Sequence, residues 1–329
     1  MTTTHIQPLA HKDLLSIATL SRAEIEMLFA SAAKLKANPK NHLQSLEGKA
    51  IVLLFEKDSL RTLVSFEVGM AKLGGKAVYL DHRQARIGQR EPIKDYAKNL
   101  ERWVEAIVAR TYSHATIEEL AKHARVPVIN ALSDVEHPCQ ALADLFTLQE
   151  RFGSFDQVKL AYIGDGNNVC HSLMLCAAKL GVAMAVITPK GYEPKLDVVT
   201  QAQLIARESG SSISITTDMK NAAGCNAIYT DTWTSMGQEA ESAKRVKAFA
   251  GYQVTPAVMK AAARNAVFMH CLPAHRGEEV AAEVIDSEQS IVYDQAENRM
   301  HAQDAILLHL LGSQKEVSLK PNKRRTVVV

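Results

Sequence analysis

At 329 residues, with 47% hydrophobic and 22% charged residues, the chain is globular in composition and too long for one comfortable core, so two domains of about 150 residues are expected. A net charge of +2 argues against nucleic acid as the main partner, and no uncharged apolar run approaches the roughly 18 residues that span a bilayer. The five cysteines are odd in number and lack a CxxC pair, which excludes a disulfide framework or a structural zinc site; with no secretory pattern at Met1–Gln7, the chain reads as cytoplasmic.

In chain order, Ser21-Arg22-Ala23-Glu24 has the capping-box pattern and predicts a helix running towards Ala37-Asn38. The apolar run Ala50–Phe55 predicts a buried strand, followed by the polar turn Glu56-Lys57-Asp58-Ser59-Leu60-Arg61-Thr62 and a helix that stops at Gly74-Gly75. A short strand is expected at Ala77–Leu80, a polar surface loop from Asp81 to Glu91, and a helix from Ile93 to Val104 behind Pro92. Strands at Ala106–Ala109 and Val126–Asn130 flank a helix from Thr116 to Ala124, and His137-Pro138 opens a longer helix ending near Gly153.

The second half repeats this rhythm. A strand at Val158–Ile163 leads into the turn Gly164-Asp165-Gly166-Asn167-Asn168 and a helix ending at Gly181, before a strand at Ala183–Thr188. Ala227–Thr230 and Ala266–Met269 are also strand-like. Strands alternating with helices predict an α/β protein of two doubly wound parallel-sheet domains of similar size, spanning 1–150 and 151–299. The basic tail from Ser313 reads as solvated rather than as a nucleic-acid contact.

Ligands of such sheets bind at the carboxyl ends of the strands, which gives the polar turns their meaning. The turn after Phe55 sets two hydroxyls, Ser59 and Thr62, and the guanidinium of Arg61 at a helix start, a donor set suited to phosphate. Arg110, His137 and Gln140 follow later strands of the first half, while Asn168, Asp231, Ser235-Met236-Gly237 and His270-Cys271-Leu272-Pro273 follow strands of the second. The first half thus offers cations and hydroxyls for an anion with a polarisable carbonyl. The second offers an acid, amides and a thiol for a cationic or zwitterionic small molecule. Taken singly, each has a plainer reading: a helix cap, a surface ion pair, a small buried thiol.

These residues resemble a known family. Ser59-Leu60-Arg61-Thr62 and His137-Pro138-Cys139-Gln140 look like motifs shared by all transcarbamoylases. Arg110-Thr111, Asp231-Thr232-Trp233-Thr234-Ser235-Met236-Gly237, His270-Cys271-Leu272-Pro273 and Glu297-Asn298-Arg299-Met300-His301 are similar to signatures of the ornithine carbamoyltransferases. The resemblance runs from about Leu14 to Leu311 in the family's order. It implies carbamoyl transfer from carbamoyl phosphate to the δ-amine of L-ornithine, without cofactor or metal, in a homotrimer or an assembly of trimers. The last helix, around Ala302 to Leu311, would return to the first domain, so that 300–329 packs on the carbamoyl phosphate half.

Carried over by motif, Ser59, Leu60, Arg61, Thr62, Arg110, His137, Gln140, Cys271, Leu272 and Arg299 would hold carbamoyl phosphate, with Arg61, Arg110, His137 and Cys271 as the catalytic set. Asn168, Asp231, Ser235, Met236 and Cys271 would hold ornithine. Two positions depart from the family pattern: Leu63 stands where an arginine is usual, and Arg86 (or Gln84 in a shifted register) where a glutamine reaches a neighbouring subunit's carbamoyl phosphate. Both imply an altered affinity for carbamoyl phosphate or its analogues. Three rival readings are weaker. The Gly164-x-Gly166 pair lacks a third glycine and a strand-end acid, against a dinucleotide site. Asp231 favours a free amino acid over putrescine or an acetylated amine. A non-catalytic paralogue would have lost Arg61, His137 or Cys271, and all are present.

Overall fold

Ala50–Phe55 is apolar without interruption, the pattern of a strand covered on both faces, and it forms β1 (Ala50–Phe55), buried from Ile51 onward. The computed structural model describes residues 7–235 and 237–312. In it β1 pairs in parallel with β2 (Lys76–Asp81) and β3 (Ala106–Arg110), and β3 with β4 (Val128–Leu132), in the order β2-β1-β3-β4. A second parallel sheet holds β5 (Lys159–Ile163), β6 (Ala183–Ile187), β7 (Ile213–Thr216), β8 (Ala227–Thr230) and β9 (Val267–His270), in the order β7-β6-β5-β8-β9.

Both orders reverse direction beside their first strand. The crevices where ligands bind in such sheets therefore lie outside β1 and β3 in one, and outside β5 and β8 in the other. These are the strands that carry Ser59, Arg110, the Gly164–Asn168 turn and Asp231.

The first sheet is accompanied by α1 (Arg22–Ala37), α2 (Leu60–Lys72), α3 (Ile93–Leu100), α4 (His114–His123) and α5 (Pro138–Phe152). The second has α6 (Asn168–Leu180), α7 (Leu196–Ser209), α8 (Ser242–Phe249), α9 (Pro256–Ala261) and α10 (Ala282–Ile285). The long α11 (Val292–Leu311) then crosses back to pack on α1, α2 and α5. Because α5 also packs on α6, one apolar cluster runs through both halves, from Ile51 and Phe66 to Tyr162 and Met174.

Local chemistry sets the ends. Ser21 and Glu24 close the expected capping box of α1. Ser59 caps α2 by accepting from the Thr62 N–H, and Gly153 and Gly181 stop α5 and α6 at positive φ. The structure differs from expectation at a few boundaries. Helix α3 ends at Leu100, where the Glu101 carboxylate turns to the Arg125 N–H. Strand β4 begins after Pro127, which has no N–H for the ladder. Helix α11 starts ten residues before Ala302, so Arg299 lies within it. Strand β7 lies outside the strands predicted from sequence, and the basic tail lies outside the described residues.

Candidate active site

A cavity of about 580 Å³ opens at the carboxyl ends of the two sheets. On one side, Ser59, Leu60, Arg61 and Thr62 form the capped start of α2, whose free N–H groups and dipole face the cavity. Arg110 ends β3, while His137 and Gln140 open α5. Arg299 reaches over from α11, donating to Gln140 Oε1 and, at 3.1 Å, to Thr62 Oγ1. Arg61 donates to the Leu272 carbonyl, across to the second half.

Three guanidinia thus converge, and each is costly to bury. Burial, then the charges of Arg299 and Arg61, push the Arg110 guanidinium down to about 9. The same burial and the same three cations hold His137 well below the usual imidazole value, so it is neutral near pH 7. Its backbone N–H donates to Ser172 Oγ (2.9 Å), which donates in turn to the buried Glu136. Among the described residues, His137 Nδ1, Arg110 Nε and Arg299 Nε are buried without hydrogen-bond partners.

On the other side Asp231 sits just past β8. It accepts from Asn167 Nδ2 (2.7 Å), from the Thr232 N–H (2.8 Å) and from Cys271 Sγ (3.0 Å). Burial and the neighbouring Asp231 charge raise the Cys271 thiol well above its ordinary value, so it stays protonated and donates. Cys271 therefore contributes a hydrogen bond, not a thiolate nucleophile. Leu272 has φ +58, a region unfavourable to a branched side chain, and this turns its carbonyl to Arg61. Thr232, Thr234 and Ser235 complete this wall.

The structure brings together Ser59, Leu60, Arg61, Thr62, Arg110, His137, Gln140, Asn168, Asp231, Ser235, Cys271, Leu272 and Arg299 around one cavity. Met236 lies outside the described residues. Asn168 lines the cavity, but its amide is engaged with the Ser133 carbonyl (2.5 Å), and the neighbouring Asn167 is the residue that holds Asp231. Arg86 is expected at a neighbouring subunit's carbamoyl phosphate rather than at this chain's own. It is exposed, stacks at 4.4 Å on Tyr112, and does not line this chain's cavity. Leu63 is half-buried against the main apolar cluster.

Sequence reasoning missed several supports. Lys57 lines the cavity, and its ammonium lies 4.5 Å from the centre of the Tyr112 ring. Glu56, buried, ties the 82–92 loop and the turn after β3 together through the N–H groups of Ile87 (2.9 Å) and Tyr112 (2.8 Å). Asp144 accepts from Gln140, Gln295 and Tyr229, and burial raises it to about 7. Its acid placement one turn after Gln140 was the only signal.

Among the described residues, two groups have the donor chemistry for a metal ion: Asp231 with His270 and Cys271, and His275 with Glu278 and Glu279. In the first, the thiol is protonated, and both His270 ring nitrogens are engaged, with the Leu272 N–H (2.8 Å) and Glu279 (3.1 Å).

Comparison with known proteins places this geometry. The carbamoyl-P binding domain of the aspartate/ornithine carbamoyltransferase family matches residues 12–150, and the Asp/Orn binding domain matches residues 156–310. An ornithine carbamoyltransferase of Shewanella oneidensis is 52% identical over 301 residues, covering 92% of this chain and 100% of that protein. One from Anoxybacillus flavithermus is also 52% identical, over 303 residues, covering 91% of this chain and 96% of its own length. The solved ornithine carbamoyltransferase of Pyrococcus furiosus superposes with a TM-score of 0.90 at 48% identity, covering 94% of this chain and 99% of that one. The anabolic enzyme of Campylobacter jejuni superposes at 0.86 and 35% identity, covering 91% and 99%. With both halves matched and identity near one half along most of its length, the chain belongs to the aspartate/ornithine carbamoyltransferase family.

Proposed function

We propose that this chain transfers the carbamoyl group of carbamoyl phosphate to the δ-amine of L-ornithine, giving L-citrulline and phosphate in arginine metabolism. The observation that carries the reading is the division of one cavity. Three guanidinia and a neutral imidazole face a carboxylate held by an amide and a thiol.

Carbamoyl phosphate brings the charge that the cationic side lacks. Ser59, the α2 N-terminus, Arg61, Thr62 and Arg110 take the phosphate oxygens. Buried nitrogens of Arg110, Arg299 and His137 without partners among the described residues fit this ligand. His137, Arg61 and Thr62 polarise the carbamoyl C=O, while Gln140 and the Leu272 carbonyl orient its NH2. Asp231 pairs with the α-ammonium of ornithine, and Ser235, Met236 and Asn168 grip its carboxylate and chain. Cys271, between the two sites, holds Asp231 in place.

The neutral δ-amine attacks the carbonyl carbon. A C–N bond forms, and the tetrahedral oxyanion is stabilised by cations already in place. The C–O bond to phosphate then breaks, and the amine proton leaves with solvent or phosphate. Much of the rate comes from holding two substrates in line and excluding water.

Assembly is part of the proposal. Leu60, Val64 and Val68 form an exposed apolar stripe on α2, and Val78, Tyr79 and Leu80 an exposed patch on β2, an edge strand. A second copy of this chain covering that face, in a homotrimer or a higher assembly, would bring Arg86 towards a neighbour's cavity. A cytoplasmic location fits five unpaired cysteines, together with no helix among the described residues long and apolar enough to cross a membrane.

The experiment is a citrulline assay with carbamoyl phosphate over ornithine, putrescine and N-acetylornithine. Turnover with ornithine alone supports the reading. A preference for either other amine overturns the acceptor assignment.

A further inference from the structure

The segment Asp231–Ser235 carries the acceptor side of the cavity, yet it is a loop without regular structure. One turn, the one that follows β5, grips it at two points. Asn167 holds the Asp231 carboxylate at 2.7 Å. Asp165 of the same turn binds Arg245 of α8 at 2.9 Å, and the same Arg245 nitrogen donates to the Trp233 carbonyl at 3.0 Å. Between these points the Trp233 ring is buried and stacks on Phe249 of α8, with ring centres 5.8 Å apart and planes 21° off parallel.

The turn itself has little room to yield. A Cβ on Gly166 would lie 2.2 Å from the Pro194 nitrogen, so glycine is required for its approach to the 191–195 segment. The Arg245 side chain is 7% exposed and lies over the Tyr192 ring at 5.1 Å, with Glu241 at 3.4 Å. Among the described residues, the partners of Arg245 all belong to the second half: Asp165, Trp233, Glu241 and Tyr192. A buried guanidinium shared between a carboxylate and a carbonyl fixes orientation better than a point charge does.

We infer that the buried Asp165–Arg245 pair is a latch for the acceptor-binding segment, making Arg245 a positioning residue for ornithine and not for carbamoyl phosphate. The inference rests on the function proposed above. With the latch in place, Asp231, Thr232, Thr234 and Ser235 face the cavity as one preset surface. Without it, the Trp233 carbonyl is unheld and ornithine must order the loop when it binds, which weakens binding and leaves the chemical step nearly as it was.

The test is steady-state citrulline kinetics on Arg245→Met and Arg245→Lys, with carbamoyl phosphate affinity measured separately by ligand-induced thermal stabilisation. Arg245→Met is expected to raise the ornithine KM about tenfold or more, the worth of one charge-assisted hydrogen bond, with kcat and carbamoyl phosphate affinity little changed. Arg245→Lys keeps the charge beside Asp165 but lacks the planar fork, and falls between. Arg245→Met leaves Asp165 buried and unpaired; should it fail to fold, Asp165→Asn combined with Arg245→Met removes both charges and is expected to keep the raised ornithine KM. A folded Arg245→Met or double variant with the parent ornithine KM overturns the latch, as does a loss of carbamoyl phosphate affinity in step with it. Absence of citrulline from the unsubstituted chain would instead retire the functional reading, and the latch with it.

Discussion

Arg110 shows how far this site trades stability for binding. It is buried, has two guanidinia for neighbours, and its charge is pushed down to about 9. Such a group strains the empty site and is relieved only by an anion. Arg110→Met is therefore expected to melt at or above the parent temperature without ligand, while losing the stabilisation that carbamoyl phosphate gives the parent. A ligand at a hundred times its Kd is worth about 2.7 kcal/mol, which a melting curve resolves easily. An unliganded Arg110→Met that melts well below the parent would contradict this view. At this scale the sequence was informative wherever a functional side chain follows a strand, as with Ser59, Arg110 and Asp231. It was silent on Asn167, Arg245 and Asp144, because nothing local distinguishes a residue that holds a ligand from one that holds its holder.

The donor site depends on two helices meeting correctly, α2 with Thr62 and α11 with Arg299. Lower down the same contact, the Asp304 carboxylate presses against α2 at Gly69, where a Cβ would lie 2.0 Å from Oδ1. Asp304 is buried, its Oδ1 accepts no hydrogen bond, and burial raises it from 3.8 to about 7 in spite of the nearby Lys72. A carboxyl raised on folding favours the folded state at low pH, and that contribution is lost as the pH climbs through its folded value. Asp304→Asn is thus expected to gain melting temperature relative to the parent between about pH 4 and about pH 7 and to keep a constant margin above that, measured side by side. A difference that is flat with pH would show that the carboxyl is not buried as described. Element types were legible because apolar runs and capping patterns are local. The start of α11 was not: its first two turns are half polar, and only packing on α1, α2 and α5 makes them helix. Likewise, the register of β4 turned on Pro127 and on pairing of Leu14 with Ile129, a contact remote in sequence.

Across the whole molecule, the plan of two parallel sheets could be read from alternation alone. How copies assemble could not, since an exposed Leu60, Val64 or Val68 looks in sequence like any other apolar helix position. The proposal that another copy covers this face has a direct test. Val64→Asp with Val68→Asp, both at exposed sites, is expected to reduce the particle mass in sedimentation and to lower activity with it, as sites between subunits come apart. Unchanged mass would move the interface elsewhere.

The proposed carbamoyl transfer requires the donor half to grip carbamoyl phosphate through the start of α2. Its most direct test is citrulline formation by Arg61→Ala at saturating carbamoyl phosphate and ornithine. Arg61 reaches from α2 to the Leu272 carbonyl, across the cavity from the first half to the second. Its loss is expected to lower kcat by about a hundredfold or more, the effect of deleting one preorganised oxyanion donor. Citrulline formation near the parent rate would contradict the account.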